Sequence, residues 1–163
     1  MNMIITVDSN WAMSLRGKPF VHIPDNEQLI RRETCGNVVV MSPYMASNFP
    51  GGYSYKDRVN VIYSEHPIQK FKDAKMSQTK EQLLEILDAY NRESIYVLGD
   101  EKICKMLLPM CDTVDVAYID YEYEADSYFE NLDDNEEFEL VEESDEKTYF
   151  DLIYTFRRYE RKK

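Results

Sequence analysis

Residues 95–109 of this 163-residue chain, IYVLGDEKICKMLLP, restrict its possible folds more than any other stretch. Ile95, Tyr96, Val97 and Leu98 form a short, almost wholly apolar run, the pattern of a strand covered on both faces in a parallel sheet. Gly99 breaks the run. From Asp100 onward the apolar residues Ile103, Met106 and Leu107 recur at helical spacing, and Pro109 stops the segment. Strand, glycine turn and helix start in this order belong to an α/β sheet, where free backbone N–H groups at the helix start commonly receive a phosphate. Asp100 is equally suited to cap that helix with its own side chain. The residues alone leave both readings open.

The rest of the chain repeats the alternation. Met3–Val7 reads as a central strand, and residues 9–23 (SNWAMSLRGKPFVHI) as a long loop of the kind that often serves function. Pro24–Arg32 predicts a short helix closed by Gly36. Asn37–Ser42 (NVVVMS) is a buried parallel strand, and Ser42-Pro43 opens a brief helix that Pro50-Gly51-Gly52 ends. Val59–Ser64 is a further strand. Thr79–Asn91 is an amphipathic helix with Leu83, Ile86, Leu87 and Tyr90 on its inner stripe and capping-box spacing between Thr79 and Gln82. After Thr113–Tyr121, another strand, about half the residues from Asp120 to Glu146 are acidic, which reads as a solvated face. Phe138–Val141 and Tyr149–Phe156 alternate as two antiparallel strands joined near Ser144. The expected fold is α/β: one domain over residues 1–163, with a mostly parallel central sheet, helices on both faces and a C-terminal antiparallel hairpin.

Composition narrows the partners. A formal charge of −12 disfavours nucleic acid and anionic membranes. Cys35, Cys104 and Cys111 are odd in number and lack metal-ligand spacing, so neither a disulfide framework nor a metal site is expected. The start, MNMIITVD, reads as a strand and not as a secretory signal, and a reducing cytoplasm is the expected location. Nothing in the pattern calls for an obligate oligomer, so a monomer is expected.

In this order, the segments IITVDSNWAM, IPDNEQLIRRETCGNVVVMS, DRVNVIYS, IYVLGDEKICKMLLPMCDTVDVAYID, YEADSYF and TYFDLIYTFRRYER resemble dihydrofolate reductases over essentially the whole chain. The resemblance implies transfer of hydride from NADPH to a pterin ring and protonation of the adjacent ring nitrogen. It implies a cleft between the first strand, the loop after it, the Pro24 helix and the Gly99 turn. The substrate side would be formed by Ile4, Glu27, Ile30, Arg31, Phe49, Arg58 and Leu98. The coenzyme side would be formed by Thr6, Met13, Ser42, Pro43, Tyr44, Met45, Ser64, Glu65, Gly99, Asp100, Glu101 and Ile103.

Several positions depart from the family. Its single carboxylate, which holds the pteridine and supports protonation, aligns with Asn26. An amide lacks the charge that makes such hydrogen bonds about twice as strong, and losing acid–base assistance costs on the order of 100- to 10,000-fold in rate. Asp25 and Glu27 flank the position, each turned about 100° around the helix. Glu27 replaces an apolar pocket residue. The family's successive glycines, joined by a cis peptide bond, are here Gly99-Asp100. Its phosphate-gripping Gly-Arg-basic-Thr is Ser42-Pro43-Tyr44-Met45, and its basic residue near the adenosine 2′-phosphate is replaced within Ser64-Glu65. Three phosphate-facing places have lost positive charge or gained negative charge, which points to weakened or absent NADPH binding.

Other features agree. Arg58 matches the arginine that binds the glutamate tail of folate, as an arginine fork suits a carboxylate, and Arg31 matches a basic neighbour of that tail. Trp11 and Asp126 also fit, and His22 aligns near the cleft. Three functions follow: a slow reductase of the dihydrofolate type; a family member that has lost catalysis and acts as a binding or scaffold module; or a reductase of another pterin or pyrimidine, as in the related riboflavin-pathway enzymes.

Overall fold

The computed structural model describes residues 1–47, 56–66, 71 and 73–163. Its strands are β1 (Asn2–Val7), β2 (Ala12–Ser14), β3 (Val38–Met41), β4 (Val59–Tyr63), β5 (Ala74–Ser77), β6 (Ile95–Val97), β7 (Thr113–Ile119), β8 (Ser127–Tyr128), β9 (Phe138–Glu143), β10 (Lys147–Tyr149) and β11 (Leu152–Arg161). The helices are α1 (Pro24–Thr34), α2 (Pro43–Ser47), α3 (Lys80–Leu87) and α4 (Glu101–Leu107).

One sheet runs in the order β10-β11-β7-β1-β6-β3-β4-β5, with β9 also pairing to β11 and β2 pairing separately with β8. The strands from β7 to β5 are all parallel to their neighbours. Only β9, β10 and β11 run antiparallel at one side. Alternate residues of the parallel strands feed two cores, as the period of two requires. Met3, Ile5, Val38, Val40, Val97 and Val116 pack with α3 and α4 through Leu83, Leu87, Ile103 and Leu107. Ile4, Val39, Met41, Ile62 and Leu98 pack on the other face against Ile30 of α1 and Ala46 of α2. Helices therefore cover both faces, which explains why these strands read as unbroken apolar runs.

The chain leaves β1 through α1 and re-enters the sheet at β3, two places away. β6 later fills the gap between them. The C-terminal ends of β1, β6, β3 and β4 consequently line one edge, at a point where the strand order reverses, and ligands of open α/β sheets bind beyond such an edge.

The structure corrects the sequence reading in four places. Residues 9–23 are not wholly loop, because β2 pairs with β8 there. β5 goes unread in the sequence; it is a short parallel edge strand on β4. α3 stops at Leu87, where the Asp88 N–H bonds back to the Leu84 carbonyl, although Tyr90 still packs on the core. Tyr149–Phe156 is two strands, because the backbone turns at Phe150 (φ 53°) and β10 folds onto β11. The expected helix stop at Pro50-Gly51-Gly52 lies outside the described residues. No helix among the described residues is long and apolar enough to cross a membrane.

Candidate active site

Asn26 sits in the first turn of α1, whose opening proline supplies the preset φ of a helix start. The turn faces β1, and the Asn26 Nδ2 donates to Thr6 Oγ1 at 3.1 Å. The side chain is buried, and its Oδ1 has no hydrogen-bond partner. An unpaired buried acceptor of this kind costs about 1–3 kcal/mol, a cost that an N–H from a ligand would remove. Neither flanking carboxylate reaches the position. Asp25 Oδ2 accepts from the Tyr154 hydroxyl at 2.9 Å, and burial, followed by that bond and the Asp25 charge, pushes the Tyr154 phenol up to about 12. Glu27 instead faces His22, with Oε1 and Nδ1 3.5 Å apart and both side chains largely exposed.

Around this turn the structure brings Ile4, Ile30 and Leu98 into one apolar cluster. Arg58, just before β4, reaches the last turn of α1. Its Nε donates to Thr34 Oγ1 at 2.7 Å, and its two terminal nitrogens donate to the carbonyls of Lys56 and Arg31 at 2.6 Å each. These bonds fix the plane of the guanidinium beside Arg31, whose side chain is exposed. Phe49 lies outside the described residues.

The other predicted residues lie along the strand-end edge. Gly99 follows β6, and a Cβ added there would come 3.3 Å from Ile103 Cβ, so a side chain at this point would press on α4. The Gly99–Asp100 bond is trans. Asp100 is the N-cap of α4 and accepts from the Ile103 N–H at 3.1 Å, which realises the capping reading of this residue. Glu101 bonds Lys105, and that bond leads in holding its carboxyl below the ordinary range. Met13 is buried in the same core as Ile103. Ser42 Oγ accepts from the Met45 N–H at 3.4 Å and caps α2, which begins with Pro43 and Tyr44.

At the end of β4, Ser64 Oγ donates to the His66 carbonyl at 2.9 Å. Glu65 is held from two sides: Oε1 accepts from the Tyr63 hydroxyl at 3.3 Å, and Oε2 pairs with Lys102 Nζ of α4. The hydrogen bond from Lys102 is the main reason that the Glu65 carboxyl lies below its usual range and the lysine above its own.

Sequence reasoning did not single out Lys102 or Tyr63. The one available signal was a lysine three residues after Gly99. It also passed over Asp8, which is fully buried and accepts from the N–H groups of Asn10 (2.8 Å), Ala12 (2.9 Å) and Tyr123 (2.9 Å), joining the loops after β1 and β7. Trp11 is buried edge-on to Tyr118 and Tyr159, and Asp126 accepts from the Arg16 N–H at 3.0 Å. Both residues pin the loop.

Comparison with known proteins fits this arrangement. The family model for dihydrofolate reductase matches residues 1–161. The chain belongs to the dihydrofolate reductase family. A dihydrofolate reductase from Staphylococcus haemolyticus is 25% identical over 164 residues, covering 99% of this chain and 95% of that protein. Among solved structures, dihydrofolate reductase from Enterococcus faecalis, in complex with NADP(H) and RAB-propyl, superposes with a TM-score of 0.81. It is 19% identical and covers 99% of this chain and 96% of its own, a likeness of fold.

The family implies a nicotinamide dinucleotide, and the edge suits the body of one. Thr6 marks its β1 end, Gly99 keeps the middle free of a side chain, and the Glu65 carboxylate at the β4 end can accept from hydroxyls. The donor set there suits a ribose better than an added phosphate, because Lys102 already holds Glu65.

Proposed function

We propose that this chain reduces dihydrofolate to tetrahydrofolate with a nicotinamide dinucleotide, at a rate limited by the amide at its cleft floor. The observation that carries this reading is the buried Asn26 beside Thr6, with one oxygen unpaired, in a chain of this family. That Oδ1 accepts from an N–H on the pyrimidine edge of the pterin, while Nδ2 stays committed to Thr6. A neutral amide can hold the ring in place. It gains less from each bond than a carboxylate does, and it cannot exchange a proton. Protonation of the ring nitrogen then falls to water admitted at the cleft mouth, where Glu27 makes the lining polar.

The bound dinucleotide supplies the hydride. Thr6 and Met13 would stand at its nicotinamide end, Gly99, Asp100, Glu101 and Ile103 along its middle, and Ser42, Pro43, Tyr44, Met45, Ser64 and Glu65 at its adenosine end. The order of β1, β6, β3 and β4 supports this sequence of contacts. Ile4, Ile30 and Leu98 would take the apolar body of the substrate, and Arg58, with Arg31 beside it, the carboxylate tail. Residues 1–163 act in this reading as one monomeric domain in a reducing cytoplasm.

The test is a titration with NADPH followed by its fluorescence, alongside dihydrofolate consumption. Micromolar binding with slow turnover is the expected result. Absent binding at millimolar coenzyme, together with no turnover, would overturn the reductase reading in favour of a non-catalytic binding module. Turnover of another pterin or a pyrimidine, but not of dihydrofolate, would redirect the substrate.

A further inference from the structure

We propose that Glu65 makes this protein read the adenosine ribose of its coenzyme as a diol, so that it binds NADH at least as tightly as NADPH. The inference rests on the reductase reading and adds to it the choice of coenzyme.

Glu65 sits just past the C-terminal end of β4, beside the strand ends along which a dinucleotide extends in sheets of this kind. Its carboxylate is held by two elements, with Tyr63 of β4 on Oε1 and Lys102 of α4 on Oε2. Each carboxylate oxygen has two acceptor positions. One on each oxygen is used by these partners, which leaves one on each for an outside donor. Two adjacent acceptors of fixed orientation match the vicinal 2′- and 3′-hydroxyls of a ribose, and an acidic residue at a strand end is a general device for NAD recognition in α/β folds. Glu65 remains half exposed, so its free acceptors are open to a ligand.

A 2′-phosphate would meet a different environment. It carries about −1.5 to −2 charges near pH 7 and offers no donor to a carboxylate. The charged groups acting on this cluster are Lys102 and, on that lysine, Asp100 at the start of α4, His66 from the segment after β4, and Glu81 from α3, which acts on Tyr63. Lys102 is neutralised by Glu65 itself. To bind a phosphate, the lysine would have to give up its carboxylate partner and leave that carboxylate beside the incoming charge. The resulting penalty falls on NADPH alone, because the two coenzymes share every other atom.

The deciding experiment measures the dissociation constants of NADH and NADPH for the full chain by fluorescence titration, and repeats them for Glu65→Ser and Glu65→Gln. Thermal shifts with ADP-ribose and its 2′-phosphate provide a readout without turnover. In the wild type the NADH constant is expected to equal or fall below that for NADPH. Both substitutions are expected to move the ratio at least tenfold toward NADPH, since each frees Lys102. A wild-type preference for NADPH above tenfold, or a ratio unmoved in both variants, would overturn the proposal and leave the reductase reading intact. Failure of both coenzymes to bind would overturn the two together.

Discussion

The two flanks of β6 differ in how far their polar groups are satisfied, and they depart in opposite ways from the pattern that the resemblance implies. On the β1–α1 flank the buried amide is left incompletely bonded: Asn26 keeps one contact to Thr6, and its carbonyl oxygen faces no donor. On the β4–α4 flank the acidic groups have their bonding met within the protein: Asp100 caps α4, Glu101 binds Lys105, and Glu65 binds Lys102 and Tyr63. The first flank is chemically weaker yet ready for a ligand's donor. The second is internally content and selective about what may approach. On the reading proposed above, the first flank bears on the reaction and the second on the choice of coenzyme.

The largest effect that would sharpen this contrast comes from restoring the charge. Asn26→Asp is expected to raise the single-turnover rate of dihydrofolate reduction by roughly 100-fold or more, the usual contribution of a positioned acid–base group. It should leave the ratio of NADH to NADPH affinity unchanged. A change in that ratio without a gain in rate would mean that the flanks are not separable as described.

Next in size is the tail-binding end of the first flank. Arg58→Gln is expected to raise KM for dihydrofolate by about 10- to 100-fold, corresponding to a charged hydrogen-bonded contact worth about 1.5–3 kcal/mol. KM for a dihydropterin without the glutamate tail should not move. Equal changes for both substrates would place the arginine in a structural role through Thr34 and the Arg31 carbonyl.

The smallest expected effect has opposite signs in two measurements. Asp100→Gly removes the side-chain bond to the Ile103 N–H, and exchanging an N-cap for glycine costs a few tenths of a kcal/mol. Thermal unfolding should show a slight loss of stability, while dinucleotide affinity rises as a negative charge leaves the edge. Tighter binding combined with a lower Tm is the signature to look for; a fall in both would return Asp100 to the role of a helix cap alone.

Most of the fold was legible because five of the parallel strands are buried on both faces or nearly so, and apolar runs such as Val38–Met41 announce such burial directly. β5 escaped notice because an edge strand needs only partial burial, and Ala74-Lys75-Met76-Ser77 shows it. The turn that divides β10 from β11 was hidden for another reason: a positive φ usually calls for glycine or asparagine, and here an exposed phenylalanine takes it. At the site, the amide at position 26 could be placed by its spacing from Pro24, because the helix start fixes its direction. The Glu65–Lys102 pair could not, since its partners are far apart in sequence and meet only when β4 and β6 are set on either side of β3.

Asp8 has a consequence for motion. One carboxylate, sealed from solvent, gathers amides from chain segments as much as 115 positions apart. The stretches following β1 and β7 are therefore hinged to a common pin. A cut, an insertion or a substitution in either should loosen the other, and any opening of the mouth they border must swing them as one body.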